Sequence, residues 1–227
     1  MDTKILHWFG DSWCAGFPGG GTPFPNLTSK KLDYNFINHG VRGTSAEQML
    51  KKFNSVYPLL SSNDIVIFCL TTPSRVSLSD TLNHDTLDKE LKKIWNTYFV
   101  TDEILSHLLF NYLNTLYYMC QAKNITCYFV NSFTRLTKQD NLFVPGDTWI
   151  LPLDQCLANT LVPLLDLVRD GPALRDEPRF LDIEWLEHRE LLKKYFLPND
   201  NHPTQLGNEK IAEFLTEKLK LKLNDPR

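Results

Sequence analysis

The sequence predicts an α/β protein: a central, mostly parallel sheet of five strands between two layers of helices. Three observations lead there. Short β-rich runs alternate with segments whose apolar residues recur at helical spacing, the pattern of strand–helix–strand units. The run Ile65 to Leu70 (IVIFCL) is apolar on both faces, as a strand covered by helices on both sides must be. With 227 residues, the chain can form one large domain with a full core, and no repeat or low-complexity linker divides it.

The first strand is the apolar run Ile5, Leu6, Trp8 and Phe9, with His7 in its middle, and it stops at Gly10-Asp11-Ser12. Phe17 to Pro25 is rich in glycine and proline. It matches neither glycine pattern that opens a phosphate-binding helix, so it reads as a loop. Tyr34 to Asn38 is the second strand, and a glycine turn follows. Thr44 then starts a helix, with Glu47 completing a capping box and Ala46, Met49, Leu50, Phe53, Tyr57 and Leu60 forming its buried face. Ile65 to Leu70 is the third strand.

Two helices are expected next. Asp85 to Tyr98 turns Leu87, Leu91, Ile94 and Trp95 inward; the second is capped by Thr101, with Asp102 and Glu103 suiting its first turn. The stripe of the second, from Ile104 to Met119, is a core stripe. Ile125 to Val130 is the fourth strand and Arg179 to Ile183 the fifth. Between them, at about 133–177, lies an irregular insertion. Long stretches of this kind after a strand's carboxyl end commonly serve as lids or substrate walls, so it is expected to border the site. Glu184 to Lys194 is a polar helix. Thr204 begins a closing helix with Ile211, Phe214, Leu215 and Leu219 inward.

Composition narrows the function. Lys and Arg number 24 against 27 Asp and Glu, a formal charge of −3, so no basic stripe invites nucleic acid. The five cysteines show no Cys-x-x-Cys spacing, no clustered His/Asp set or His-Glu-x-x-His run appears, and neither a structural zinc nor a catalytic metal is expected. No cofactor motif is present. A strand begins almost at residue 1, which leaves no room for an export segment, and no apolar run nears the ~18 residues of a membrane span. These features predict a soluble, by default cytoplasmic, protein; release by lysis or in a particle would leave no trace in such a sequence.

Chemistry gathers at the two ends of the chain. A strand ending in Gly10-Asp11-Ser12 presents a hydroxyl at the carboxyl edge of a sheet, where open α/β sheets bind ligands. Near the other end, Asn199-Asp200-Asn201-His202-Pro203-Thr204 supplies an acid and an imidazole just before the closing helix. Serine needs a neighbouring base to become a nucleophile, and hydroxyl, imidazole and carboxylate are the three groups of a serine hydrolase. Ser12 is then the nucleophile, His202 the base and Asp200 its orienter. In the alternative reading these residues only cap helices and make turns.

The set resembles the SGNH/GDSL hydrolase family. That family carries Gly-Asp-Ser after its first strand, a glycine turn after its second, here Asn38 to Ser45, and an Asp-x-x-His-Pro block before its last helix. The resemblance implies a flavodoxin-like α/β/α fold with strand order 2-1-3-4-5, which sets the end of strand 1 at the topological switch point. It implies an ester hydrolase whose oxyanion donors are the backbone amides of Ser12 and Gly43, with Gly40 as the alternative.

The chain departs from the family pattern twice. Asn199, not an acid, stands three residues before His202, and Asp200 only two, so either could orient the imidazole. The family's asparagine after strand 3 is missing from Leu70-Thr71-Thr72-Pro73-Ser74-Arg75; a hydroxyl of Thr71 or Thr72, or the Arg75 guanidinium, could replace it, or the site runs on two donors. Asp11, Thr72 and Arg75 are further candidates for contact with substrate, and Arg42 for an anionic part of it or for a surface salt bridge. The expected reaction is hydrolysis of small acyl esters, plausibly O-acetyl groups of a carbohydrate. A lipase or lysophospholipase, or a binding module that lost catalysis, are the competing expectations.

Overall fold

The computed structural model describes residues 4–71, 102–132, 142–151, 193–197 and 202–224, with only the backbone of 102–106. Four strands, β1 (Ile5–Gly10), β2 (Asn35–Asn38), β3 (Ile65–Leu70) and β4 (Thr126–Asn131), form one sheet in the order β2-β1-β3-β4. All neighbours are parallel. The order reverses direction at β1, so the carboxyl end of β1 opens into the crevice between the two windings. The expected fifth strand, Arg179 to Ile183, lies outside the described residues, as do the helix Asp85 to Tyr98, the Thr101 cap and most of the helix Glu184 to Lys194.

Between and after the strands run α1 (Ser12–Ala15), α2 (Phe24–Lys31), α3 (Ala46–Val56), α4 (Asp102–Ala122) and α5 (Gln205–Leu223). Strand alternation sorts the core into two layers. Leu6, Trp8, Ile65, Ile67, Cys69, Tyr128 and Val130 pack against Phe24 of α2 and Ile211, Ala212, Leu215 and Leu219 of α5. Phe9, Val66, Phe68, Cys127 and Phe129 point the other way, onto Met49 and Phe53 of α3 and Leu109, Leu113 and Leu116 of α4. Every residue of β3 is buried, which its unbroken apolar sequence required.

Two features differ from expectation. The capping box of α3 is one residue later than predicted. Ser45 is the N-cap, its hydroxyl accepting from Gln48 N while the Gln48 side chain accepts from Ser45 N. Thr44 instead closes the preceding turn by donating its hydroxyl to Val41 O at 2.6 Å. Within the stretch expected to be irregular, Trp149 makes a parallel bridge to Phe129, and Ile150 N donates to Phe129 O at 2.9 Å. Trp149, Ile150 and Leu151 are buried there beside β4. Among the described residues, no helix is long and apolar enough to cross a membrane.

Candidate active site

Ser12 is the first residue of α1, immediately beyond β1, and is buried. Asp11 forms this turn: its backbone is extended and its carboxylate accepts from Trp13 N at 3.0 Å. Fully buried, Asp11 is the N-cap of α1, which gives it a structural role whatever else it touches. As the first helical residue, Ser12 has an amide that its own helix does not use.

The glycine turn is held beside α1. His39 N donates to Trp8 O at 2.7 Å and Val41 N to Gly10 O at 2.9 Å, extending the β1–β2 pairing past the strand ends. Asn38 fastens the turn. Its Nδ2 donates to Cys14 O at 2.8 Å and to Asn26 Oδ1 at 3.1 Å, and its Oδ1 accepts from Gly40 N at 2.9 Å. Gly40 lies so close to α1 that a Cβ would sit 2.5 Å from Ala15 N. Its amide is engaged by Asn38 and its lack of a side chain serves packing. Gly43, farther along the turn, has φ +71, a conformation that glycine adopts without strain.

His202 reaches the same region through three sets of contacts. Its ring stacks on Phe17, with centroids 4.0 Å apart and planes 15° from parallel. Its own segment forms a short antiparallel pairing: Leu197 N donates to His202 O and Thr204 N to Tyr195 O, both at 2.9 Å. Phe196 in that pairing packs on Trp13, the residue after Ser12, at 5.7 Å between centroids. The third set joins the loop before α2 to the start of α5. Gln205 Oε1 accepts from Thr22 N at 2.8 Å, while Asn208 accepts from Phe24 N at 3.0 Å and donates to Gly20 O at 2.9 Å. The N-cap of α5 is Thr204, as expected, accepting from Gly207 N. Phe17 is in turn braced by Arg42, whose guanidinium lies 5.5 Å from the ring centroid and whose Nε donates to Gly16 O.

Of the predicted site residues, Ser12 opens α1, Gly40 packs against Ala15 of α1, and His202 stacks on Phe17, two residues beyond that helix. Asp200, Asn199, Thr72 and Arg75 lie outside the described residues. Thr71 directly follows β3, buried, with no hydrogen-bond partner for its hydroxyl. Sequence reasoning missed Asn38, Phe17, Gln205 and Asn208 as the groups that hold the site together. One signal was available: Asn208 shares a helix face with Ile211, Leu215 and Leu219, and an asparagine on an apolar stripe is a buried polar group that must have partners.

A second polar group lies on the α3 face. His7 Nδ1 and His39 Nε2 are 3.0 Å apart, and His7 Nε2 is 3.9 Å from Asp64 Oδ1. Burial lowers the pKa of His7 against the opposing pull of Asp64. Burial, with smaller contributions from His7 and Lys52, lowers that of His39 to about 4. Both rings are thus neutral at pH 7, so one of the two facing nitrogens donates its N–H and the other accepts.

No protein-family model and no curated protein matches the sequence. Solved structures do resemble the fold. A lipolytic G-D-S-L family protein from Desulfitobacterium hafniense superposes with a TM-score of 0.52 at 10% identity, covering 95% of this chain and 99% of its own. The psychrotrophic esterase EstA from Pseudoalteromonas sp., in a structure inhibited by monoethylphosphonate, gives a TM-score of 0.50 at 12% identity, covering 98% and 100%. The parallel sheet in the order β2-β1-β3-β4, its helices on both faces and these full-length superpositions agree: the chain has the fold of the SGNH/GDSL hydrolases.

Proposed function

We propose that the chain is a serine hydrolase that cleaves small acyl esters through a covalent acyl-enzyme. The observation that carries this reading is the convergence of the chain's two ends: Ser12 at the end of β1, and His202 stacked on Phe17, five residues further along. In the proposed cycle His202 takes the Ser12 hydroxyl proton as the oxygen attacks the ester carbonyl, then passes it to the departing alcohol. Water, activated by the same imidazole, releases the acid. Asp200, or Asn199, holds the imidazole. The amides of Ser12 and Gly43 receive the developing oxyanion; the engagement of Gly40 N by Asn38 favours Gly43 of the two glycines. The substrate class is a short acyl ester, with O-acetyl groups on carbohydrate as the first candidate and lipid esters as its competitor.

A fluorophosphonate probe should form an adduct on Ser12 of the folded protein, located by mass spectrometry. Turnover of p-nitrophenyl acetate should fall by about 10⁴-fold or more in Ser12→Ala and by a comparable factor in His202→Ala, since triad members act as a unit. Turnover that survives Ser12→Ala would remove the nucleophile assignment. A folded protein with neither adduct nor turnover would be a binding module on a hydrolase fold. Acetylated sugars compared with long-chain esters then decide the substrate class.

A further inference from the structure

Phe17 is a half-buried aromatic that packs in neither layer of the core. Its ring lies face to face with the His202 imidazole, centroids 4.0 Å apart and planes 15° from parallel. The Arg42 guanidinium, 5.5 Å from the ring centroid, is its other aromatic or charged neighbour among the described residues. Core burial therefore does not account for it.

The backbone explains how the ring comes to be there. Gly16 N donates to Ser12 O at 2.9 Å, closing the single turn of α1, and φ +87 at Gly16 turns the chain out of the helix. Phe17 is the next residue. Gly20 N then donates to Phe17 O at 2.9 Å, closing a four-residue turn. That turn meets two consecutive residues ahead of α5. Phe17 stacks on His202, and Gly20 lies so close to Pro203 that a Cβ would sit 2.7 Å from Pro203 O. Arg42 Nε donates to Gly16 O at 2.9 Å, so the peptide before Phe17 is held as well. Three contacts thus lead from Ser12 through Gly16 and Phe17 to the imidazole.

We propose that Phe17 is a positioning residue for His202, fixing the plane of the imidazole relative to α1 and so to Ser12. This rests on the serine-hydrolase reading above. The torsion that swings an imidazole about its Cβ–Cγ bond is broad, with no deep well to hold the ring. A hydrogen bond at one ring nitrogen directs that nitrogen and still lets the ring rock about the bond. A flat ring lying against one face blocks the rocking on that side. The lone pair that accepts the Ser12 proton lies in the imidazole plane. Tilting the plane therefore slows the chemical step without weakening ground-state binding of the ester.

The test compares Phe17→Leu, Phe17→Ala and Phe17→Tyr with the parent on p-nitrophenyl acetate. Leucine keeps apolar bulk without a flat face; tyrosine keeps the face. Phe17→Leu and Phe17→Ala should each lose about 10- to 10²-fold in kcat with KM within a factor of about two, the cost of misplacing a reacting group by about 1 Å. Phe17→Tyr should stay within about threefold of the parent, because the stacked face that aligns the base is retained. Since Phe17 lies outside the core, the thermal midpoint of Phe17→Leu should stay within about 3 °C of the parent. In the NMR spectrum, the His202 ring protons, assigned by their loss in His202→Asn, should move downfield in Phe17→Leu as the shielding face is removed.

Parental kcat in Phe17→Leu, while Ser12→Ala is inactive, would overturn the positioning role alone. So would a kcat loss that Phe17→Tyr shares in full, or one that tracks a lowered midpoint. His202 protons unmoved in Phe17→Leu would overturn the stacking on which the role depends. A parent with neither turnover nor a Ser12 adduct would overturn the hydrolase reading, and the positioning role with it.

Discussion

On the α2/α5 face of the sheet, three hydrogen bonds join residues 183, 184 and 188 positions apart, Thr22 to Gln205, Phe24 to Asn208 and Asn208 to Gly20. On the α3/α4 face Phe68 packs against Phe9, Phe53 and Phe129 beside the row Asp64, His7, His39, and the long-range hydrogen bonds, Tyr57 OH to Met119 O and Lys123 Nζ to Tyr57 O, join the carboxyl ends of α3 and α4. Apolar packing is non-directional and tolerates small shifts, whereas a backbone amide bonded to a side-chain oxygen fixes position to a few tenths of an ångström. The face that carries the His202 segment ties the two ends of the chain together with the directional kind. The opposite face, with no part in the proposed chemistry, combines apolar bulk with hydrogen bonds between neighbouring helices. The difference lies in what the directional bonds join: the two ends of the chain on one side, neighbouring helices on the other.

That division can be broken by experiment. The largest effect on stability is expected from Phe68→Ala, which empties a fully buried position. Such truncations cost about 3–5 kcal/mol. Measured by denaturant unfolding, the loss should come with kcat within about threefold of the parent at a temperature where both are folded; a large kcat loss there would mean that the α3/α4 face also aligns the site.

Asn208→Ala should come next. It leaves the buried Phe24 amide without its acceptor, at a cost of about 1–3 kcal/mol. Here activity should fall by more than stability predicts, by about tenfold, because the glycine loop that carries Phe17 loses its tie to α5. Equal activity at equal folded fraction would show that the seam only stabilises.

The smallest effect sharpens the comparison through pH. His39 stays neutral in the folded protein down to about pH 4, whereas an ordinary imidazole protonates near 6.5. Between those values the unfolded chain binds more protons, so stability is whole above about pH 6.5 and falls as pH drops toward 4. Protonation of both rings would also set the N–H groups of His7 and His39 against each other. Thermal midpoints across this window should fall less steeply for His39→Phe than for the parent. Identical slopes would remove the histidine row as a source of acid sensitivity.

Much of the fold was legible because it follows from local pattern. An unbroken apolar run such as Ile65–Leu70 can only be an interior strand, and β1, β2 and β4 lie within a residue or so of their expected places. The cap of α3 moved from Thr44 to Ser45 because two adjacent hydroxyls suit the role equally, and the deciding factor was a turn carbonyl, Val41 O, that only the folded chain presents. Trp149-Ile150-Leu151 did not read as sheet-associated because so short a run between prolines and glycines has no period; only β4 beside it, at Phe129, gives it a bridge partner.

By itself, then, the sequence determined the layer architecture, the strand that ends at Ser12 and the residue types able to carry acyl transfer, since periodicity and the chemistry of a side chain are properties of the chain alone. Tertiary structure decided what those residues can reach. The stacking of His202 on Phe17, the clamp of Asn208 on the glycine loop and the unpartnered hydroxyl of Thr71 each depend on segments brought together by the sheet from far apart in the sequence. Distance in space and the satisfaction of a buried polar atom are set by those long-range contacts, and no local pattern encodes them.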